Sequence, residues 1–388
     1  MTNTEPSKSP LRIAHVQLLP LLSGVQRVTL QELSSLDSNM YKRTLICQEA
    51  GPLTRTVSPL GVQCHFVPQL TRPISPLKDA VAFCQLWRLM RSGKFDIVHT
   101  HSSKTGVLGR LAAKLAGVPA IIHTVHGFAF PAEDSRIKRR LYATMEHVGG
   151  RCCDLVICLN QNDLEIAKKV GVKPSKLRVI PNGVDLAQFS PVSVEQRASI
   201  RKKLDLPLDE PIAVMVGRLW PQKDPLTFVE AAIKYLSRHA AGHFVLLGDG
   251  DLRSEIETLI NQHGVSDRVH LLGWRDDVDQ LLPAFDLFVL PSLWEGMPLA
   301  ILEALACGLP CIVTDIPGNR DLVEDGEDGF LLPTNDATTL ADHLTTLLCN
   351  ESLRKSMGER ARLKVVNEYD LAKRTQRVIS LYEQILGR

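Results

Sequence analysis

The sequence predicts an α/β protein made of two doubly wound domains, and three observations predict it. Short apolar, β-rich runs alternate with helical patterns through nearly the whole chain. Those runs are apolar on both faces and lack strict polar alternation, as expected of strands in a parallel sheet covered on each side. The rhythm breaks near residues 191–211 and then restarts, and 388 residues suffice for two hydrophobic cores.

The elements follow in order. LRIAHVQL (11–18) reads as the first strand and GVQRVTLQELSSL as the helix after it. FDIVHT (95–100) precedes the helical KTGVLGRLAAKLAG, and AIIHTV (120–125) and DLVICL (154–159) are further strands. SVEQRASIRKKLDLPLDEP reads as a charged helix and a turn between the halves. PIAVMVGR (211–218) opens the second half, followed by the helical DPLTFVEAAIKYLSR. HFVLLGDG and FDLFVLPS are strands, MPLAILEALACG a helix and PCIVTD a strand again. The expected division is a first domain over 1–190, a linker over 191–210 and a second domain over 211–369. A final helix over 370–388 is expected to pack back toward the first domain. Ligands of such sheets bind outside the carboxyl ends of the strands, so a facing pair would share one cleft.

Composition narrows the class. The chain is 44% hydrophobic and 23% charged, which excludes a disordered or fibrous polymer. No apolar run reaches the roughly 18 residues that would span a bilayer. The opening MTNTEPSKSP lacks a basic region followed by an apolar one, so a cytoplasmic protein is expected. Nine scattered cysteines without a C-x-x-C pair read as reduced, small apolar residues; Cys307 and Cys311 lack a second pair to complete a zinc site. Charge is uneven. Through residue 190 there are 24 Lys and Arg against 13 Asp and Glu, a net of +11; the remainder carries 21 against 30, a net of −9. A basic half is suited to an anionic surface or acceptor.

Two motifs carry chemistry. In VGRLWPQKD, Arg218 ends an apolar strand and Lys223 follows in a Pro-containing loop, with Asp224-Pro225 as N-cap and first helical residue. Two cations beside a helix N-terminus make an anion site, Arg binding bidentately and Lys as a point charge. In WEGMPLAILEALACGLP, Glu295 precedes a helix that Pro298 starts and Gly308 ends, and Glu303 sits on its second turn. Leu299, Ile301, Leu302, Leu305 and Ala306 make the helix core, but they leave Glu303 unexplained. A carboxylate there can accept paired hydroxyls, as an acidic residue does with ribose in dinucleotide folds.

Other polar groups read as structural. Asp276, Asp277 and Asp279 are expected to be helix-start acids. His99 and His101 alternate on a strand, and His123 and His126 are three apart; neither pair has a third ligand nearby in sequence, so no metal site is expected. SRIKRRLYATMEHVGG carries the stripe Ile137, Leu141, Met145 and Val148 beside Arg136, Lys138, Arg139 and Arg140. That pattern fits either docking on anionic lipid or a solvated face.

Together, GRLWPQKD, LLGDGDLRSEI, LLGWRDDV and PSLWEGMPLAILEALACGLPCIVTDIPGNRDLV resemble the nucleotide-sugar half of glycosyltransferase family 4, which has the GT-B fold of two Rossmann-like domains. SGVQRV, HTHSSKTGVLGRLAAKLAGVP, HTVHGF and IPNGVD extend the resemblance over nearly the whole chain. The resemblance implies transfer of a hexose or N-acetylhexosamine from a nucleoside-diphosphate sugar, with UDP expected over GDP, and with retention of configuration. The acceptor it implies is a saccharide or a polyprenyl-diphosphate-linked sugar in bacterial polysaccharide assembly.

Arg218 and Lys223 match the pair that holds the donor diphosphate, and Glu303 matches the acid on the ribose hydroxyls. Glu295 matches the acid near the sugar hydroxyls, assisted by backbone N–H groups within the stretch Gly296, Met297, Pro298, Leu299. His126 matches the histidine that meets the sugar, Gly24 the N-terminal glycine loop, and Trp274 and Arg275 the loop beside the base. Ser23 stands where that loop's first glycine is usual, and EGMPLA lacks a further glycine, two departures that bear on selectivity. No cofactor and no metal are implied, no nucleic acid is an expected partner, and peripheral contact with the inner face of the cell membrane is. A nucleotide-sugar epimerase and a non-catalytic nucleotide-sugar binder are the rival readings.

Overall fold

The computed structural model describes residues 9–128, 130 and 135–387. Residues 1–8 of the N-terminal stretch inspected for a leader lie outside them. The chain forms two compact units, Met1–Pro181 with Arg374–Arg388, and Asn182–Lys373.

The first unit runs β1 (Leu11–Val16), α1 (Gly24–Ser35), β2 (Tyr41–Cys47), α2 (Pro52–Val57), β3 (Gln63–Phe66), α3 (Pro76–Gly93), β4 (Ile97–His101) and α4 (Ser103–Ala116). It continues through β5 (Ala120–Val125), α5 (Arg136–Cys152), β6 (Leu155–Cys158), α6 (Gln161–Lys169) and β7 (Leu177–Val179). Its seven strands are parallel, in the order β3-β2-β1-β4-β5-β6-β7. One apolar cluster, including Ala14, Val98, Ile121 and Ala113, packs on one face of the sheet. The other face carries Ile13, Ile97 and Ile122 against Val378 and Tyr382.

The second unit contains α7 (Val194–Lys203), β8 (Ile212–Val216), α8 (Pro225–Leu236), β9 (His243–Leu247), α9 (Arg253–Gln262), β10 (Val269–Leu271) and α10 (Val278–Leu281). Next come β11 (Leu287–Leu290), α11 (Leu299–Ala306), β12 (Cys311–Thr314), β13 (Gly329–Leu332), α12 (Ala337–Leu348) and α13 (Glu351–Glu368). Six parallel strands take the order β10-β9-β8-β11-β12-β13, the doubly wound arrangement of a dinucleotide-binding fold. Strands β9, β11 and β12 are buried along their whole length, which accounts for the apolar runs FVLL, LFVL and CIV within them.

The division falls earlier than sequence composition placed it, and residues 191–210 do not form a linker. Arg201 on α7 is buried, donating to the Ala284 carbonyl at 2.8 Å and to Asp286 Oδ2 at 2.6 Å, so this helix is part of the second unit. Burial pushes the Asp286 carboxyl up, but Arg197 and Arg201 outweigh it and hold the group below its ordinary value. The last helix, α14 (Leu371–Leu386), contributes Arg374 to the first unit, where it donates to Glu32 Oε1 at 2.8 Å.

Arg110 on α4 pairs with Glu146 on α5 at 2.8 Å, their side chains 1% and 7% exposed. A Cβ at Gly149 would lie 2.5 Å from the Arg110 guanidinium carbon, so a glycine there makes room for the pair. Arg110→Met leaves the Glu146 carboxylate buried alone and is expected to destabilise the first unit by about 3–5 kcal/mol. Adding Glu146→Leu should restore most of that loss, and urea unfolding of the single and double variants checks both outcomes.

Candidate functional site

In the second unit the strand order reverses between β8 and β11, the switch point at which open α/β sheets take ligands. Arg218 follows β8, and Lys223 ends the 3-10 turn Pro221–Lys223. Asp224 adopts a left-handed φ of 48°, and its carboxylate caps α8 by accepting from the Thr227 N–H at 3.3 Å. The Arg218 guanidinium lies over the Trp220 ring, 4.6 Å from its centroid.

Glu295 occupies the loop between β11 and α11, and Lys223 Nζ donates to its Oε1 at 2.5 Å, the two side chains 20% and 8% exposed. The cation from one loop and the carboxylate from the other are thus one charge pair. Gln222 joins the same loops: its side-chain N–H donates to the Trp294 carbonyl at 2.9 Å, and its carbonyl accepts from the Leu293 N–H at 2.8 Å. Nothing in the sequence singled out Gln222.

Glu303 sits on the second turn of α11 and is buried with its neighbours Leu302 and Ala304. Burial, with the Glu303 charge beside it, pushes the Cys307 thiol well up, so that cysteine stays an inert thiol. Two glycines allow the loops to pack this closely. A Cβ at Gly318, where φ is 89°, would lie 2.1 Å from the Gly296 carbonyl oxygen. One at Gly248, where φ is 152°, would lie 1.8 Å from the Gly217 carbonyl oxygen. Met297 is buried, and its carbonyl accepts from the Asn182 side chain at 2.9 Å, while Pro298 precedes α11 and Leu299 begins it.

Trp274 and Arg275 lie in the loop after β10. Trp274 is half exposed, and its ring N–H donates to Asp276 Oδ1 at 3.1 Å. Asp277 stands at the N-cap of α10 and Asp279 in its first turn, as the sequence suggested, but the Asp277 side chain makes no capping bond and is held by Arg275 at 2.8 and 2.6 Å. That ion pair keeps Asp277 below its ordinary value. Lys223 and Glu295 meet beside the switch point, Arg218 follows β8 at its border, and the bonds of Trp274 to Asp276 and of Arg275 to Asp277 stay within their own loop.

In the first unit, Gly24 opens α1, and a Cβ built there would meet no atom within 4 Å among the described residues. Protein packing therefore does not explain a glycine at this position. His126 follows β5 and is partly exposed; burial of its ring and the Arg374 guanidinium hold it down to about 3. His101 Nδ1 lies 3.1 Å from His126 Nε2, and His101 Nε2 lies 3.0 Å from His15 Nδ1.

Parallel register pairs His15 on β1 with His99 on β4, and Glu32 on α1 brings its Oε2 within 3.6–3.7 Å of His15, His99 and His101. His99 also bonds the Tyr382 hydroxyl at 2.6 Å and the Thr124 hydroxyl at 2.7 Å. The further neighbours that His99 and His101 lack nearby in sequence are supplied in space by β1, α1 and α14. All nine cysteines are free thiols.

Residues 22–188 match the model of Glycosyltransferase Family 4, and residues 196–364 that of Glycosyl transferases group 1. The chain is 46% identical over 379 residues to the UDP-Gal:alpha-D-GlcNAc-diphosphoundecaprenol alpha-1,3-galactosyltransferase of Escherichia coli, covering 96% of this chain and 97% of that one. It is 28% identical over 339 residues to the N,N'-diacetylbacillosaminyl-diphospho-undecaprenol alpha-1,3-N-acetylgalactosaminyltransferase of Campylobacter jejuni, covering 86% and 89%. Among solved structures, Anabaena Alr3699/HepE in complex with UDP and glucose superposes with a TM-score of 0.84 at 19% identity, covering 96% of this chain and all of that one.

The buried histidines set an acid limit for the first unit. His15, His99, His101 and His123 are held below the ordinary value of 6.5, chiefly by burial. The unfolded chain then takes up protons that the folded chain refuses, so stability falls as pH drops below about 6.5, by about 1.4 kcal/mol per ring per pH unit. Glu32, pushed up by burial, works in the opposite sense below its own raised value. Urea midpoints of the first unit should fall steeply between about pH 7.5 and 5.5, and equal midpoints would contradict this account.

Proposed function

The chain belongs to glycosyltransferase family 4, and from that premise we propose that it moves galactose from UDP-galactose to an N-acetylglucosamine carried on a polyprenyl diphosphate. The observation that carries this reading is the 46% identity, over nearly the full length of both chains, to an enzyme with that donor and acceptor in its name. The chain is a hexosyltransferase of polysaccharide biosynthesis, and an α-linked product from an α-linked donor means retention.

The acceptor oxygen forms its bond to C1 of the sugar as the bond from C1 to the diphosphate breaks. The electron pair leaves on the diphosphate oxygen, which takes the acceptor's proton. Arg218 and Lys223 are assigned to that growing negative charge, supported by their place at the switch point beside the loop that leads into α11. A diphosphate reaching Lys223 would share its ammonium with Glu295 and free the carboxylate for the sugar hydroxyls. Glu303 is assigned to the ribose, Trp274 and Arg275 to the base, and the backbone of Gly296–Leu299 and His126 to the sugar. Gly24 is assigned to close approach of substrate, in keeping with the open space around it.

Charge from two cations and a helix end requires no metal, so turnover is expected to survive EDTA. Among the described residues no helix is long and apolar enough to cross a membrane. The lipid acceptor would instead be reached from the inner face of the membrane by α5, on which Ile137, Leu141 and Val148 are exposed beside Arg136, Lys138, Arg139 and Arg140. Flotation with anionic vesicles is expected for the native chain and reduced for Ile137→Glu; flotation indifferent to lipid charge would remove the docking.

Incubation with UDP-galactose and a synthetic N-acetylglucosaminyl diphospholipid should add one hexose in α linkage. Conversion of the donor without acceptor would point to an epimerase, and no turnover with any acceptor to a binding protein. Arg218→Ala and Lys223→Ala are each expected to slow turnover about 10²–10³-fold. Glu303→Ala should weaken UDP binding by about 1.5–3 kcal/mol, as read by calorimetry.

A further inference from the structure

Three imidazoles form a line in the first unit, from His126 through His101 to His15, with contacts of 3.1 and 3.0 Å. His15 and His101 are fully buried, and Glu32, the carboxylate nearest them, is already paired with Arg374 at 2.8 Å. The rings are therefore neutral, in line with the lowering that burial imposes on each, and each carries one proton. A contact between two ring nitrogens needs one proton between them. With one proton per ring, only two arrangements satisfy both contacts. Either the protons sit on the Nδ1 atoms of His15, His101 and His126, or they all sit on the Nε2 atoms. The three rings share a single tautomeric choice.

His15 Nε2 makes that choice. It is buried and has no hydrogen-bond partner. The Nε2 arrangement would strand an N–H there, whereas the Nδ1 arrangement leaves only a lone pair, and orphaned buried N–H groups are the rarer fault. Glu32 does not decide, since its unpartnered Oε2 lies 3.6 Å from His15 Nδ1 and 3.7 Å from His101 Nε2.

The same neighbourhood brings His15, Glu32, His99 and His101 ligand atoms within 4.8 Å of one another, a donor set that suits zinc. Because Arg374 already neutralises Glu32, a divalent ion would leave its charge uncompensated in a site closed to solvent. The hydrogen-bonded chain is the better account of these residues.

We infer that His15 and His101 are positioning residues that lock His126 into its Nδ1–H tautomer. His126 then offers a donor, and neither a base nor an acid, to a hydroxyl oxygen of the donor sugar. The inference rests on the assignment of His126 to that sugar.

Long-range proton–nitrogen correlation on histidine-labelled native protein reads the tautomer directly, with His126 identified by the signal missing in His126→Gln. A protonated Nδ1 and a bare Nε2 are expected. In His101→Phe the chain is cut, and the His126 signals should move toward the Nε2–H form. The KM for UDP-sugar should rise about tenfold, the worth of one hydrogen bond, with UDP affinity unchanged. His101→Asn, whose amide stands near the place of Nδ1, should recover most of the tenfold loss. A proton on His126 Nε2 in the native protein, or a stoichiometric metal in the purified chain, would overturn the inference. If His126 does not serve the sugar, His126→Gln keeps its kinetics while the native tautomer is still read, so the two failures are told apart.

Discussion

Parallel pairing is the constraint from which the rest of the molecule follows. Neighbouring parallel strands cannot be joined by a tight hairpin, so each link is a crossover that returns the chain to the same starting rim. All carboxyl ends therefore share the opposite rim. In the second unit that rim holds Arg218 after β8, the glycine-containing turn at 248–250 after β9, Trp274 after β10 and Glu295 after β11. Where the order reverses, crossovers depart in opposite directions and leave a crevice between β8 and β11. Residues 72 positions apart, Lys223 and Glu295, meet there as a direct consequence of topology.

Polar side chains inside the first unit follow a different rule. His15, Glu32, His99 and Arg374 are all buried on the sheet face that α14 covers, alongside Ile13, Ile97 and Tyr382. Such groups are tolerated only where they satisfy one another. The carboxylate and guanidinium cancel in charge, and the neutral rings bond to hydroxyls and to each other. The remaining unpartnered atoms, His15 Nε2, Glu32 Oε2 and Arg374 Nη1, are the points at which this network is most easily perturbed.

Much of this was legible in the amino-acid order. Strands apolar on both faces announce a covered parallel sheet; Arg218 and Glu295 stood out as charges beside apolar runs, and Lys223 as a second cation before a helix start. Gln222, Gly318 and Asn182 were silent. Their roles depend on partners at Trp294, Gly296 and Met297 that only the folded loops bring near. The unit boundary was misplaced because α7 reads as a charged surface helix, and the burial of Arg201 depends on Asp286 and Ala284 far along the chain. His99 and His101 read as an isolated pair for the same reason: their partners stand on three other elements, one of them at the chain's far end.

The first unit is made of two separated pieces of chain, residues up to Pro181 and the segment from Arg374 onward. A ribosome delivers the first 181 residues long before the segment that supplies Arg374 and Tyr382. Until α14 is made, Glu32 and His99 have no native counterpart from it, and the apolar surface around Ile13 and Ile97 lacks Val378 and Tyr382. The second unit, continuous in the chain, can complete itself first. The cover of that sheet face is thereby encoded after the whole of the second unit, and the first unit gains it only once α14 has been made.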